Sequence, residues 1–319
     1  MAQVLSPQPA HNLPTPVSNR TSIAAESNQL NLDGYAGAIE NVQLLEPLSP
    51  DTPVEELRRR YKEDGVIWVK GLLDSATVKK FRGDYLAFVN DGTGLLKEGT
   101  DPVEGIFSGQ PWQNFLLPGA VRRALGLSDD GLFVERAIAS HQSDTYQDFK
   151  NGVGRALEPF VGRLGDFKYS WCLPRSLLRL SVPGGNVDVH GGGLIYLDKS
   201  HEIGRKFEKD FDELNANLSD EQRISAFNEN MMAGGWLDRN AAKFGKHWGR
   251  RWLVGKYEAG DVVFHSPYMV HAGAKNEDCQ NRIRVSTDLR FVDKMKPYDE
   301  RWTYLAYSPD DPNVAKEKK

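Results

Sequence analysis

Histidine and arginine residues at the ends of predicted strands are the side chains of this sequence best placed to do chemistry. His190 is followed directly by three glycines and then by a predicted strand, Leu194–Leu197. His271 follows a later predicted strand and a turn, and Arg282 stands eleven residues after it, with Arg284 on the same strand face. Histidines at the ends of two strands can form half of a metal site.

The chemistry open to such residues depends on what completes the site. Two neutral imidazoles and one carboxylate on one edge of an Fe(II) ion leave three coordination positions open. A 2-oxo acid can take two of these positions and O2 the third. An arginine then binds the distal carboxylate of the acid through two parallel hydrogen bonds. The spacing from His271 to Arg282 beside a GDVVFH strand favours this chemistry over an ordinary structural role.

The other histidines of the folded region receive plainer interpretations. His265 lies one strand end before His271 and is interpreted as a supporting or structural residue. His141, His201 and His247 are interpreted as surface residues or as residues with local hydrogen bonds.

Helices and strands must position these residues. Pro53 near a predicted helix start and Gly65 at its end predict a first helix, and Val66–Val69 is predicted as a strand. Asp74 or Ser75 is expected to cap a second helix. Later strands are predicted at 177–182, 251–257, 261–265 and 282–291, after a helix at 149–164. Strands late in the chain and helices early predict a mainly β fold with flanking helices.

Two aromatic segments are candidates for the wall of a substrate pocket. A loop at 91–118 carries Trp112 and Phe115, and a predicted helical insertion at about 205–250 carries Trp236 and Trp248. An ordinary core role is at least as well supported for these four residues, because aromatic side chains fill most protein cores.

Composition limits the class of protein. The chain has 319 residues and a net charge of −4, with 40 basic and 44 acidic residues spread along it. Neither a nucleic-acid footprint nor a membrane segment is indicated. Two distant cysteines fit a reducing compartment, so we expect a cytoplasmic protein. Residues 1–45 are predicted to form a disordered tail, 46–308 one domain and 309–319 a polar tail.

Four segments resemble the phytanoyl-CoA dioxygenase family, in the order in which the family has them: DGVIWVKGLLD, LLRLSVPGGNVDVH, GGGLIYLDKSHEIG and GDVVFHSPYMVHAGAKNEDCQNRIRVSTDLRF. The resemblance spans about residues 51–307. It implies a double-stranded β-helix (jelly roll) that uses Fe(II), 2-oxoglutarate and O2 to oxidise a small organic molecule, including intermediates of secondary metabolism. It further implies that His190 and His271 are iron ligands and that Arg282 binds 2-oxoglutarate, with Arg284 as the second choice.

The sequence departs from this family beside the first ligand. The family has His-x-Asp, whereas His190 is followed by Gly191 and Gly192. Two strands that the family has after this point are also missing, which corresponds to roughly 15–25 residues. The predicted β-helix is therefore incomplete, and the carboxylate ligand of the metal is absent.

Several explanations fit this departure. A shortened family member with impaired iron binding accounts for both anomalies through one event, and we favour it. A halogenase-like site, in which glycine leaves room for a halide, explains only the missing carboxylate. A non-catalytic relative that supports an active partner subunit is the third explanation. A binding module without any chemistry is the alternative of a different class. Either a homodimer or a heterodimer is compatible with the sequence.

Overall fold

A computed structural model describes residues 30–34, 37–117, 122, 125–183, 192–217, 219, 237–238 and 240–310 of the chain. Within these residues the chain forms twelve strands and six α-helices. The strands are β1 (Leu30–Gly34), β2 (Gly37–Leu44), β3 (Pro47–Leu48), β4 (Val66–Val69), β5 (Ser170–Cys172), β6 (Leu177–Ser181), β7 (Leu194–Leu197), β8 (Trp252–Val254), β9 (Val262–His265), β10 (His271–Gly273), β11 (Arg284–Asp288) and β12 (Phe291–Asp293). The helices are α1 (Val54–Asp64), α2 (Ser75–Asn90), α3 (Leu132–Gln142), α4 (Asp144–Gly165), α5 (His201–Leu214) and α6 (Ala241–His247).

The strands form four sheets. The large sheet has five strands in the order β1-β2-β8-β7-β10, and the three-stranded sheet has the order β3-β4-β9. Two further pairs, β6 with β11 and β5 with β12, are antiparallel. Parallel pairing joins β2 to β8 and β3 to β4, so the two larger sheets are mixed.

Apolar side chains between the large sheet and the three-stranded sheet pack these two sheets against each other. Trp68 of β4, Tyr196 of β7 and Leu253 of β8 belong to one buried cluster. Trp68 also meets Tyr257 edge-on, with 5.2 Å between ring centroids. Because strand residues alternate between faces, the neighbours of these residues point to the opposite sides of the sheets.

Helices cover those opposite sides. The large sheet packs against α5 and α6 through a cluster that includes Ile195, Ile203 and Phe244. The three-stranded sheet packs against α1 and α4 through Ile67 and Phe160. The observed arrangement of sheets with helices on their outer faces agrees with the predicted mainly β fold with flanking helices.

A third apolar core lies between the β6–β11 pair and helices α2 to α4. It contains Leu178 of β6, Ile283 directly before β11 and Phe81 of α2. His141 joins α3 to this core, because its Nε2 accepts a hydrogen bond from the backbone N–H of Leu178 at 3.0 Å, while its Nδ1 donates to the carbonyl of Ala137 at 2.7 Å. His141 is therefore a buried structural residue with local hydrogen bonds.

The predicted ends of the first two helices are observed. Gly65 follows α1 with φ of 75°, a conformation that glycine adopts without a steric penalty. Asp74 caps α2, and its carboxylate accepts hydrogen bonds from the backbone N–H groups of Ala76 and Thr77.

The prediction of a disordered tail is wrong for residues 30–34 and 37–44. They form β1 and β2, which pair with each other and extend the large sheet through β8. Leu32 and Ile39 are each 1% exposed and belong to the cluster beneath α5 and α6. The polar average of the whole N-terminal segment hides two short apolar stretches that become buried through distant pairing. Residues 1–29 and 311–319 lie outside the described residues.

The predicted helical insertion corresponds to α5 and α6 at its two ends, while 220–236 lie outside the described residues. The double-stranded β-helix stays a prediction, since the described strands are divided among four sheets. In the part of the chain that the structure describes, no helix has the length and apolar character needed to cross a membrane.

Candidate functional site

The edge of the large sheet places His271 on the side that faces the three-stranded sheet. His271 of β10 is paired with Tyr196 of β7, while Ala272 packs on the opposite side beneath the helices. The Nδ1 atom of His271 donates a hydrogen bond to the carbonyl oxygen of Met269 at 3.0 Å. This leaves Nε2 with a lone pair, and the imidazole is exposed to solvent.

His265 lies beside His271, at the end of β9. It is paired with Val66 of β4, and alternation along the strand puts it on the same side as Val263, toward the large sheet. The ring centroids of His265 and His271 are 5.2 Å apart, and Tyr196 lies 5.5 Å from the first ring and 6.2 Å from the second. The structure thus brings together two imidazoles whose side chains come from different sheets.

The electrostatic environment keeps His265 neutral. Burial, and to a smaller extent the neighbouring His271, lower the pKa of His265 to about 4. Its Nδ1 donates a hydrogen bond to the carbonyl oxygen of Ser266 at 3.2 Å, so its Nε2 is also the ring nitrogen with the lone pair. A neutral imidazole is the form that binds metal ions.

Arg284 is the arginine that faces this region. It begins β11 opposite Ser181, and its guanidinium donates a hydrogen bond to the carbonyl oxygen of Gly192 at 2.8 Å. Burial lowers the pKa of Arg284, while the nearby phenols of Tyr257 and Tyr196 act in the opposite direction. A guanidinium is charged at any ordinary pH, so this partly buried cation attracts an anion.

The face of β11 that carries Arg284 is polar along its length. Strand alternation puts Ser286 and Asp288 on this face, which we call the inner face of β11, while Val285 packs into the third core. Asp288 pairs with Arg179 of β6 at 3.0 Å, and its negative charge acts to raise the pKa of His265. The inner face therefore lies within electrostatic reach of His265.

Arg282 has a different environment. Its side chain is 48% exposed and holds Asp278, with 2.9 Å between Nε and Oδ2 and 2.6 Å between Nη2 and Oδ1. This pairing lowers the pKa of Asp278. Of the two arginines that the sequence predicts as carboxylate anchors, the geometry favours Arg284 over Arg282.

Gly192 stands at the position where the resemblance requires the carboxylate ligand. Its φ is 69°, and a side chain here would collide with Ser181 and Asn276. The carbonyl oxygen of Gly192 also accepts a hydrogen bond from Arg284. The backbone at Gly192 therefore positions the arginine, and the surrounding side chains leave no room for an aspartate side chain. His190, the predicted first ligand, lies outside the described residues.

The described residues do not supply a complete metal site of the predicted kind. Among them there is no group of three or more His, Cys, Asp or Glu residues that could hold a metal ion. The described residues alone therefore do not form the facial arrangement of two histidines and one carboxylate.

The structure separates Phe115 and Trp248, two of the predicted aromatic pocket residues, from this region. Phe115 is buried in the third core with Phe107 and Phe133, on the opposite face of the β6–β11 pair from Arg284. Trp248 packs on the helix-covered side of the large sheet. Phe115 is thus a core residue, and Trp248 is a partly buried residue that packs against a core. Trp112 lies in a short 3-10 helix with Phe115, and Trp236 is outside the described residues.

Two tyrosines are part of the site and were not predicted from the sequence. Tyr257 donates a hydrogen bond from its hydroxyl to the carbonyl oxygen of Leu194 at 3.1 Å, and burial raises the pKa of Tyr257 to about 12. Burial likewise raises the pKa of Tyr196. The alternation within LIYL could have indicated that Tyr196 faces away from Ile195 and Leu197, which are core residues.

Comparisons with known proteins give structural similarity at low identity. No protein-family model and no curated protein matches the chain. One similar structure is the non-heme alpha ketoglutarate dependent carbocyclase SnoK from nogalamycin biosynthesis, at 14% identity and a TM-score of 0.38, covering 85% of this chain and 93% of that one. Another is the epimerase SnoN from the same biosynthesis, at 15% identity and a TM-score of 0.36, covering 75% of this chain and 82% of that one.

SnoN has also been solved in complex with Fe3+, alpha ketoglutarate and nogalamycin RO, and that structure is 16% identical with a TM-score of 0.35, covering 75% of this chain and 83% of that one. These values leave the family and the activity of the present chain to be argued from its own residues.

Proposed function

We propose that this chain binds 2-oxoglutarate on the inner face of β11 and is an impaired relative of the Fe(II)/2-oxoglutarate oxygenases that oxidise small organic molecules. The observation that carries this proposal is the position of Arg284, a partly buried cation on a polar strand face near Tyr196, whose ring lies 6.2 Å from that of His271. The motifs that resemble the phytanoyl-CoA dioxygenase family support it as well.

The residues of the inner face have distinct roles in this proposal. Arg284 pairs with the distal carboxylate of 2-oxoglutarate, because a guanidinium matches the two oxygens of a carboxylate. The Ser286 hydroxyl, two residues along the same face, can donate a further hydrogen bond. The neutral phenols of Tyr196 and Tyr257 border the guanidinium without adding negative charge that would repel the ligand.

Iron enters this proposal only in part. Fe(II), where bound, supplies the activation of O2 in enzymes of this kind. His271 keeps the ring orientation of a metal ligand, since its Nδ1 is held by a backbone carbonyl and Nε2 has a lone pair. The carboxylate ligand, however, is excluded at Gly192 by the surrounding side chains. We therefore expect oxygenase turnover to be slow or absent.

The halogenase alternative is less compatible with this geometry. A halide in place of the missing carboxylate would need open space beside Gly192, where the related enzymes have the aspartate side chain. Ser181 and Asn276 occupy the space that a side chain at Gly192 would take. A non-catalytic relative that keeps 2-oxoglutarate binding is the second candidate, and the exclusion of the carboxylate at Gly192 favours it.

Formation of succinate from 2-oxoglutarate separates the two candidates. Purified full-length protein would be incubated with Fe(II), ascorbate, O2 and 2-oxoglutarate, and succinate would be measured for the wild type, Arg284→Ala and Arg282→Ala. Slow succinate formation that is lost in Arg284→Ala and kept in Arg282→Ala supports the impaired oxygenase. Binding of 2-oxoglutarate without any succinate supports the non-catalytic relative. Absence of both binding and turnover contradicts the proposed function.

A further inference from the structure

The distance between the rings of His265 and His271 is compatible with two ligands of one metal ion. An imidazole nitrogen that binds a metal ion at about 2.1 Å places the centre of its ring about 3.2 Å from the metal. At nitrogen–metal–nitrogen angles of about 90–110°, the centres of two such rings are therefore about 4.5–5.3 Å apart. The observed distance of 5.2 Å between the centroids lies in this range, with an angle of 53° between the ring planes.

The hydrogen bonds of both rings support this geometry. Each Nδ1 atom faces a backbone carbonyl oxygen, that of Ser266 for His265 and that of Met269 for His271. A carbonyl oxygen can only accept, so both rings carry their proton on Nδ1 and present Nε2 as the ligand atom. Metal-binding histidines commonly have their second nitrogen fixed in this way, which sets the tautomer and orients the ring.

We propose that His265 and His271 together bind one divalent transition-metal ion, with His265 taking over a coordination position for which the chain has no aspartate. This inference deepens the proposed function and rests on it for the identity of the remaining ligands, which would be water or the 2-oxo acid. Imidazole pairs suit Ni2+, Zn2+, Cu2+ and Fe2+.

Asp288 is not required in this arrangement. Its carboxylate is paired with Arg179 at 3.0 Å, and the described residues contain no group of three potential ligands around the histidines. The site therefore has two protein ligands among the described residues, and we expect weaker binding than at a site with three.

Titration calorimetry with Ni2+ alone tests this inference on the full-length protein without 2-oxoglutarate. We expect His265→Ala and His271→Ala each to weaken Ni2+ binding by about tenfold or more, and the double variant to bind Ni2+ more weakly than either single variant. His247→Ala is the matched control, because His247 is exposed and lies on α6, and it should leave the affinity unchanged. Unchanged affinity in His265→Ala overturns the inference.

Two additional measurements separate loss of a ligand from loss of the fold. Electron paramagnetic resonance of the Cu2+ complex should show coupling to two imidazole nitrogens in the wild type and to one fewer in His265→Gln. Coupling that is identical in the two proteins contradicts the role of His265. Binding of 2-oxoglutarate without metal should be unchanged in His265→Gln, because it depends on Arg284, so failure of the metal site and failure of the proposed function give different results.

Discussion

The two faces of the β6–β11 pair contrast in burial and in charge. One face buries Leu178 and Ile283 against helices α2 to α4, in an apolar core. The other carries Arg284, Asp288 and Arg179, whose charges are balanced only in part by the pairing of Asp288 with Arg179. A strand that is stabilised through one face can present charged groups on the other, because alternate residues belong to different environments.

The apolar face provides most of the stability of this strand pair, and the inner face provides the proposed binding chemistry. The apolar face contributes hydrophobic burial, which is the larger stabilising term. The inner face contributes little to stability, since partly exposed charge pairs are weak. Substitutions on the two faces should therefore affect different measured quantities.

The largest expected change in stability comes from the apolar face. Ile283 is 1% exposed, and Ile283→Ala should lower the free energy of unfolding by about 3 kcal/mol, because it removes buried methyl groups and leaves a cavity. Ser286→Ala on the inner face should change it by less than about 1 kcal/mol. Urea denaturation of both variants measures the difference, and equal losses would mean that the two faces are not divided as described.

The second prediction concerns the pH dependence of the free energy of unfolding, which we assign to His141 beside the apolar core. Burial lowers the pKa of His141 to about 4 in the folded protein, while the unfolded chain keeps the ordinary value near 6.5. The unfolded state therefore binds more protons between these values, and the folded state loses stability as the pH falls from about 6.5 to about 4, by up to about 1.4 kcal/mol per pH unit.

Urea denaturation across this pH range checks the effect. His141→Gln should be less stable at pH 7, because two hydrogen bonds are disturbed, but its stability should depend less on pH than that of the wild type. A pH dependence as steep as that of the wild type would contradict the assignment to His141.

The smallest expected effect comes from Arg282. Its side chain is 48% exposed where it pairs with Asp278, so solvent screens the pair and Arg282→Ala should lower the free energy of unfolding by less than about 1 kcal/mol. Thermal and urea unfolding measure this loss, and a loss above about 2 kcal/mol would show that Arg282 has a structural role that its exposure does not indicate.

Local signals in the sequence predict much of this fold. Gly65 and Asp74 mark the ends of α1 and α2, since a left-handed residue and a side-chain cap act within a few residues of each other. The alternation in RIRVSTDLRF predicts that Arg284 and Ser286 share one face. These features depend on neighbours along the chain, so the sequence alone was sufficient.

The features that the sequence does not predict depend on pairing between distant segments. β2 pairs with β8, more than two hundred residues later in the chain, and β1 pairs with β2. Local composition does not predict such a partner. The choice between Arg282 and Arg284 depends on Asp278, which attracts the first, and on Gly192, which holds the second. The proximity of His265 to His271 likewise arises because two sheets pack together.

Binding of 2-oxoglutarate, measured by titration calorimetry, tests the central claim most directly. The wild type and Arg282→Ala should bind it with similar affinity, and Arg284→Ala should bind it more weakly by on the order of 10–100-fold, because a charged hydrogen-bonded pair is lost. Arg284→Lys, with its melting temperature measured alongside, separates this loss of affinity from unfolding. The ligand 2-oxobutyrate, which lacks the distal carboxylate, should bind weakly to the wild type and to every variant. Equal affinity in Arg284→Ala and the wild type, or a loss found in Arg282→Ala instead, would contradict the account.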